Sequence, residues 1–341
     1  MISRFLALLA AVLFTLCICT AGGAVASGWE PVTFTDDSGA EIFVAEQPNR
    51  IISLSPANTE IVFALGLNES IVGVTEYCTY PAAALAKEKV GGYSSISIER
   101  VVSLKPDLIF AADGNSEDTI AHLKRLGYTV VLLRADTIEK TMDDILLAGR
   151  ATGNYAEAEA VVNAMQTGLE RIASATADAD RPTVLHCMWT DPLWVSGNNT
   201  FQDEMITAAG GVNAAGAVEG WSALTVEKML TLDPDIIVVD SGNGMGVGSD
   251  TEGLKSFFTG DPRMQSMKAV KNNAIYVVNA DIIDRGSPRI TEGVEVLASI
   301  IHPEIFGEYA PTAAQVKTPG FGLWMVAVGL LAAVLAVRRL Q

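Results

Sequence analysis

The chain has 341 residues, 40 acidic against 23 basic side chains, a formal charge of −17 and 49% hydrophobic residues. That length holds two domains of ordinary size with a sizeable core. The acidic balance argues against nucleic acid, whose phosphates require clustered Lys and Arg; it fits an extracellular solute binder or simply a soluble acidic protein.

In chain order, residues 1–26 read as a secretory signal. Arg4 opens it, FLALLAAVLFTLCIC is its apolar core and Ala24-Val25-Ala26 its cleavage site. Cys17 and Cys19 leave a lipoprotein-type cleavage (LCICTAGG) as the rival reading, and either predicts export. Residues 32–48 alternate like a hairpin around Asp-Ser-Gly. RIISLS reads as a buried strand, Asn58 to Leu65 as a helix, SIVGVT and DLIFAA as strands, Glu117 to Leu126 as a helix and TVVLLR as a strand. Such alternation predicts a parallel α/β sheet. From 154 to 177, Ala156, Ala160, Val161, Ala164, Met165, Leu169 and Ile172 recur at helical spacing without a Gly- or Pro-rich linker. A helix of about 24 residues, roughly 36 Å long, is expected to join two lobes as a stiff connector; the alternative is a core helix of one larger domain. The second half repeats the scheme. PTVLHCMW is a strand, Thr200 to Ala209 a helix ended by Gly210-Gly211, DIIVVD and AIYVVN are strands, and TEGVEVLASII is the last helix.

Two stretches share one spacing: Tyr93-SSISI-Glu99-RVVSLK-Pro106-Asp107 and Trp221-SALTV-Glu227-KMLTLD-Pro234-Asp235. Ser97 and Thr225 are expected N-caps, with Glu99 and Glu227 in the first turn where the helix dipole favours an acid. Pro-Asp ends each short helix before an apolar run of strand length. The repeat implies two lobes of like construction, with a cleft and a shared rim between them. The expected boundaries are a signal at 1–26, an N-terminal lobe at 27–153, the interlobe helix at 154–178, a C-terminal lobe at 179–307 and a tether at 308–318.

Residues 319–341 close the chain with Pro319-Gly320-Phe321, an apolar run of about 17 residues near the lower limit for a bilayer span, and Arg338-Arg339 as the cytoplasmic stop. This tail resembles the PGF-type sorting signal of archaeal surface proteins, which implies replacement of the helix by a lipid anchor. A plain membrane anchor gives the same topology, with the body outside. Cys78 and Cys187 remain after signal removal, in different halves. A bridge would lock a clamp that needs freedom, which argues against it and leaves pairing open. His122, His186 and His302 are scattered and form no ligand pair, so no metal site is expected. There is no G-x-S-x-G, P-loop or H-E-x-x-H, and GNGMGVG at 242–248 reads as a flexible loop, so no enzyme is expected.

Arg50-IISL-Ser55-Pro56-Ala57-Asn58-Thr59-Glu60, Val74-TEY-Cys78-TYP, Ile98-Glu99-Arg100, Lys105-Pro106-Asp107, Ala209-Gly210-Gly211 and Arg285-GS-Pro288-Arg289 together resemble the helical-backbone substrate-binding proteins of ABC importers, over about residues 49–306. The resemblance is nearest to their cobalamin-binding branch. It implies two Rossmann-like α/β lobes with parallel sheets, one long rigid helix and a ligand cleft between the lobes. It implies a monomer that is not an enzyme and has no cofactor. The cargo is a corrinoid such as cobalamin, or alternatively an iron-siderophore or heme complex, handed to a permease dimer with cytoplasmic ATPases. Glu99 and Glu227 fall on the branch's permease-docking glutamates; helix-dipole compensation is the simpler role for either alone. Tyr77, Tyr93, Trp194 and Trp221 fall on its cleft aromatics, Asp281 and Arg285 on its polar contacts, and Pro56 and Ala57 on the cleft loop. For each aromatic, core filling is the alternative; for Arg285 it is an ion pair with Asp284 or Glu292. Ala112 stands near a tryptophan position of the branch, which loosens the fit or admits another cargo. Anionic ferric chelates call for several arginines, and the cleft loops supply chiefly Arg285. Cys78 or His186 could ligate the cargo metal; a buried structural role is the stronger reading of each. An anchored receptor that meets no permease is the remaining alternative.

Overall fold

The computed structural model describes residues 29–241 and 251–310. The readings of a signal at 1–26, a glycine-rich loop at 242–248 and an apolar tail at 319–341 lie outside the described residues.

The chain opens with the antiparallel hairpin β1 (Val32–Thr35) and β2 (Glu41–Val44). Asp36 organises its turn: one carboxylate oxygen accepts from the Ser38 and Ala40 amides, and the other from Leu132 N. The first sheet has the order β4-β3-β5-β6, with β3 (Ile51–Ser53), β4 (Ile71–Val74), β5 (Leu108–Ala112) and β6 (Val130–Leu133), all parallel. β3 is buried throughout, as in a sheet covered on both faces. Around it lie α1 (Pro56–Ala64), α2 (Ile98–Leu104), α3 (Glu117–Arg125) and α4 (Ile138–Thr152). α1 starts where Ser55 Oγ accepts from Asn58 N and Pro56 takes the first turn, which needs no amide donor.

α5 (Tyr155–Thr176) is the long connector, roughly 33 Å at 1.5 Å per residue. The second lobe contains β7 (Thr183–Thr190), β8 (Leu193–Ser196), α6 (Phe201–Ala208), β9 (Val212–Asn213), β10 (Trp221–Ala223), α7 (Val226–Leu232), β11 (Ile236–Ser241), α8 (Thr251–Gly260), β12 (Ile275–Asn279) and α9 (Ile290–Ile301). Its sheet runs β10-β8-β7-β11-β12, with β9 also on β7. β9, β7, β11 and β12 are parallel; β8 and β10 are antiparallel, so this sheet is mixed where a parallel one was expected. A short turn at Asp191-Pro192 folds β8 straight back on β7, which no parallel crossover could do.

The sequence reading contains no counterpart of α4. Its inward stripe carries Thr141 and Asp144 beside Ile145 and Ala148, which breaks the apolar period. α4 meets α5 closely: a Cβ on Gly149 would stand 2.5 Å from that of Ala158. One hydrophobic cluster runs from Ile51 and Ile61 through Ile145, Met165 and Ile172 to Met205, Val294 and Leu297. The helical backbone is therefore a core shared by both lobes, and α5 lies along it with one face, Ala158, Val162, Met165, Ile172 and Thr176, buried. Tyr309, in the stretch read as tether, donates to Val277 O at 3.0 Å, so packing on the second lobe reaches that residue.

Candidate functional site: the interlobe cleft

The parallel strands end at a common cleft, where α/β sheets place ligands. The loop after β3 brings Ser55, Pro56 and Ala57; β5 ends at Ala112; the turn after β12 brings Asp281 and Arg285. The cavity is about 830 Å³, open to solvent, and within the ~300–1,000 Å³ of ligand sites.

Tyr77 and Tyr93 line it from the first lobe and Trp221 from the second. Tyr77 is 45% exposed and Trp221 37%, so both offer ring surface to the cleft. Tyr93 lies against the backbone of Gly114, where a Cβ would come within 2.0 Å of the ring, and burial pushes its hydroxyl pKa up. Asn115 fixes that loop. Its Nδ2 donates to Leu54 O and Tyr93 O, and its Oδ1 accepts from Ala112 N. Asn58 Nδ2 donates to Ala111 O. Trp194 is not among the lining residues. It sits on β8 opposite Ala223, on the sheet face that carries Trp221, and is 37% exposed.

The polar anchors come from the second lobe. Arg285 donates to Asp281 Oδ1 at 2.6 Å and to Glu60 Oε1 at 3.0 Å, in place of the Asp284 or Glu292 pairing weighed from sequence. Glu60, on α1 of the first lobe, is buried. It also accepts from Arg289 Nη2 at 2.7 Å, Arg289 Nε at 2.8 Å and Ser287 Oγ at 2.7 Å. The Arg289 guanidinium stacks 3.9 Å over the Tyr80 ring. One carboxylate thus clasps the lobes and orients Arg285. From sequence Glu60 stood within a motif without a role, and acids near the two arginines (Asp281, Asp284, Glu292) hid the distant partner.

Beneath Trp221 the floor is ionisable. His186 Nε2 lies 3.0 Å from Asp240 Oδ1 and Nδ1 lies 3.0 Å from Ser196 Oγ. The His186 ring meets Trp221 edge-on at 6.0 Å. Burial opposes charge on His186, and Asp240 outweighs it, so its pKa rises. Asp284 is raised well above the usual carboxylate range by burial and by Asp240. The tertiary structure thus gathers His186, called an isolated histidine from sequence, with two acids. Asp240 signalled itself only as a charge closing an apolar strand. Cys78 and Cys187 are buried free thiols. Thr59 Oγ1 donates to Cys78 Sγ at 3.1 Å, and burial with Asp240 pushes the Cys187 thiol up.

At the rim, Ser97 and Thr225 cap α2 and α7, accepting from Arg100 N and Lys228 N. Both helices end left-handed, at Lys105 (φ 48°) and Asp233 (φ 40°). Glu99 and Glu227 are exposed. Backbone hydrogen bonds, then Ser97 and Thr225, hold their carboxyls below the ordinary range.

Two lobes on a shared helical core, with a solvent-open cleft lined from both, define a ligand-capture protein. A family model described as periplasmic binding protein matches residues 51–282, across both lobes, and the chain belongs to that family. A Bacillus subtilis protein described as an uncharacterized ABC transporter substrate-binding lipoprotein is 33% identical, over 82% of this chain and 88% of its own. A cobalamin-binding protein of Halobacterium salinarum is 30% identical, over 91% of this chain and 89% of its own. Among solved structures, a periplasmic heme-binding protein from Roseiflexus in its apo form aligns with TM-score 0.66 and 25% identity, covering 74% of this chain and 98% of its own.

Proposed function

We propose that this chain is an extracytoplasmic substrate-binding protein, not an enzyme, that captures a corrinoid between its lobes and delivers it to an ABC-importer permease. The observation that carries the reading is the cleft itself: flat aromatic faces from both lobes around about 830 Å³, with Asp281 and Arg285 as polar anchors. A large flat ligand is held by ring faces and a few oriented polar groups. Tyr77, Tyr93 and Trp221 supply the faces, and Pro56 and Ala57 the close backbone. Trp194 extends the Trp221 face toward the mouth. Asp281 and Glu60 together offset the charge of Arg285, which suits a weakly charged cargo over an anionic chelate. The cobalamin-binding relative supports the same cargo.

Glu99 and Glu227, exposed on matched helices, are proposed to meet basic residues of the permease. The signal at 1–26 and the tail at 319–341 are proposed to export the chain and hold it at the outer membrane face, where it works as a monomer. The second reading, heme or another iron complex, is favoured by Ala112, which leaves one cleft wall low, and by the heme-binding neighbour.

Calorimetric titration of the full chain in detergent with cyanocobalamin, cobinamide, hemin and ferric siderophores tests the reading. Tight one-to-one corrinoid binding that weakens in Trp221→Ala is the expected result. Capture of hemin or a ferric complex with no corrinoid binding overturns the cargo and keeps the fold's role. Uptake that survives Glu99→Ala with Glu227→Ala removes the docking proposal.

A further inference from the structure

The floor of the cleft holds a cluster that neither the cargo contacts nor the lobe clasp uses. His186 on β7, Asp240 on β11 and Asp284 after the one-turn helix Ala280–Ile283 each bring one ligand atom to within 4.8 Å of the others. His186 is 1% exposed and Asp240 0%. Asp284 Oδ1 accepts from Gln202 Nε2 at 2.8 Å. Asp240 Oδ2 and Asp284 Oδ2 are buried and have no hydrogen-bond partner among the described residues. Among the described residues no Lys or Arg pairs with either acid; Arg285, the next residue, is committed to Glu60 and Asp281. Even a charged imidazole leaves this pair of buried carboxylates one positive charge short.

We propose that His186 Nε2 and the Asp240 and Asp284 carboxylates form a binding site for a first-row divalent cation of the zinc or manganese class. One imidazole with two carboxylates is a nitrogen–oxygen donor set suited to such ions. A +2 ion balances both acids with His186 neutral. A shared proton balances them only if the fully buried imidazole is also charged. The surrounding hydrogen bonds have the form of a second shell. Ser196 Oγ at Nδ1 can accept the ring proton and leave Nε2 as the ligand, while Gln202 orients Asp284. Tetrahedral bonds of about 2.0–2.2 Å place ligand atoms roughly 3.3–3.6 Å apart, so the cluster, whose ligand atoms lie within 4.8 Å of one another, closes by at most about 1.5 Å on the ion. Asp284 lines the cavity, which leaves the ion's remaining coordination positions open to the cleft, beside Trp221. The site is independent of which cargo the cleft takes.

The test is equilibrium dialysis of the chelator-stripped full chain against Zn²⁺ or Co²⁺, with metal counted by elemental analysis and the Co²⁺ d–d absorption recorded. One retained ion per chain is expected. Asp284→Asn and Asp240→Asn should weaken binding by more than the roughly 10–100-fold that loss of an outer partner costs, and Ser196→Ala should fall within that range. Glu159→Gln, exposed on α5, should leave binding unchanged. The Co²⁺ spectrum of the unaltered protein reads the site even where a variant fails to fold. No retained ion and no Co²⁺ band, or equal retention in Asp284→Asn, overturns the site. Asp284→Asn that is more stable than the parent without binding metal identifies a shared proton instead.

Discussion

α2 and α7 carry one sequence pattern and adopt one local structure, yet their surroundings differ. Each begins at a hydroxyl cap, holds a glutamate in its first turn and ends in a left-handed residue. Glu227 has a cation 3.5 Å away, Arg263, which is itself drawn more closely to Asp261 at 2.7 Å. Glu99 has no ion pair among the described residues and bonds Ser97 Oγ at 3.1 Å. The same division separates the cleft walls. The first lobe supplies amides, tyrosines and the exposed Arg134–Asp113 pair, and the second supplies Arg285 and the buried His186–Asp240–Asp284 group. Local pattern builds matched frames; chain segments distant in sequence decide what charge each frame carries.

The clasp is where the contrast is strongest, since one acid of the first lobe answers two arginines of the second. Glu60→Ala leaves Arg289 without its carboxylate partner and Arg285 with Asp281 alone, and should cost about 3–5 kcal/mol, read as a lowered urea midpoint. A loss below about 1 kcal/mol would show that the lobes are held by the shared apolar core alone. Next in size is the cargo contact. Trp221→Ala should lose about 2 kcal/mol of binding, roughly 30-fold in Kd, if the second-lobe wall is a hot spot. Tyr77→Ala, on a more exposed ring, should lose less, and the reverse order would move the anchor to the first lobe.

Each lobe also keeps a carboxylate out of water. In the first, burial and then a hydrogen bond with Asp37 raise Asp144 from 3.8 to about 8, with Lys140 opposing at 3.0 Å. The folded chain therefore holds that proton more tightly than the unfolded chain. The contribution to stability is complete below about pH 4 and is lost as pH rises through 8. Asp144→Asn should flatten stability across that window in pH-dependent urea unfolding; an unchanged slope would place the pKa near its ordinary value. Smaller effects come from the caps. Ser97→Ala and Thr225→Ala should each cost about 1 kcal/mol, alike in both copies. The smallest is electrostatic. In NMR titrations, raising salt should shrink the depression of Glu227 more than that of Glu99, because an exposed ion pair is screened and a local hydrogen bond is not.

The legible part of this protein was local. Ser97 and Thr225 announced their helices because a cap needs only the next three residues. The repeat announced two lobes, and the ordered motifs the family. α4 stayed hidden because Thr141 and Asp144 occupy its buried stripe, and the mixed sheet because strand direction depends on partners. The aromatics of the cleft could be named one by one, but which of them line the cavity could not: register between β8 and β10 puts Trp194 opposite Ala223, on the face of Trp221 yet outside the lining.

By itself the sequence determined periodicity, capping and the matched glutamate helices, since these depend on neighbours within one or two turns. Only the tertiary structure decided that Glu60 meets Arg285 and Arg289 across more than 220 residues, and that His186 shares a dry floor with Asp240 and Asp284. Those pairings are set by packing of the shared core, which fixes distances that no local spacing encodes.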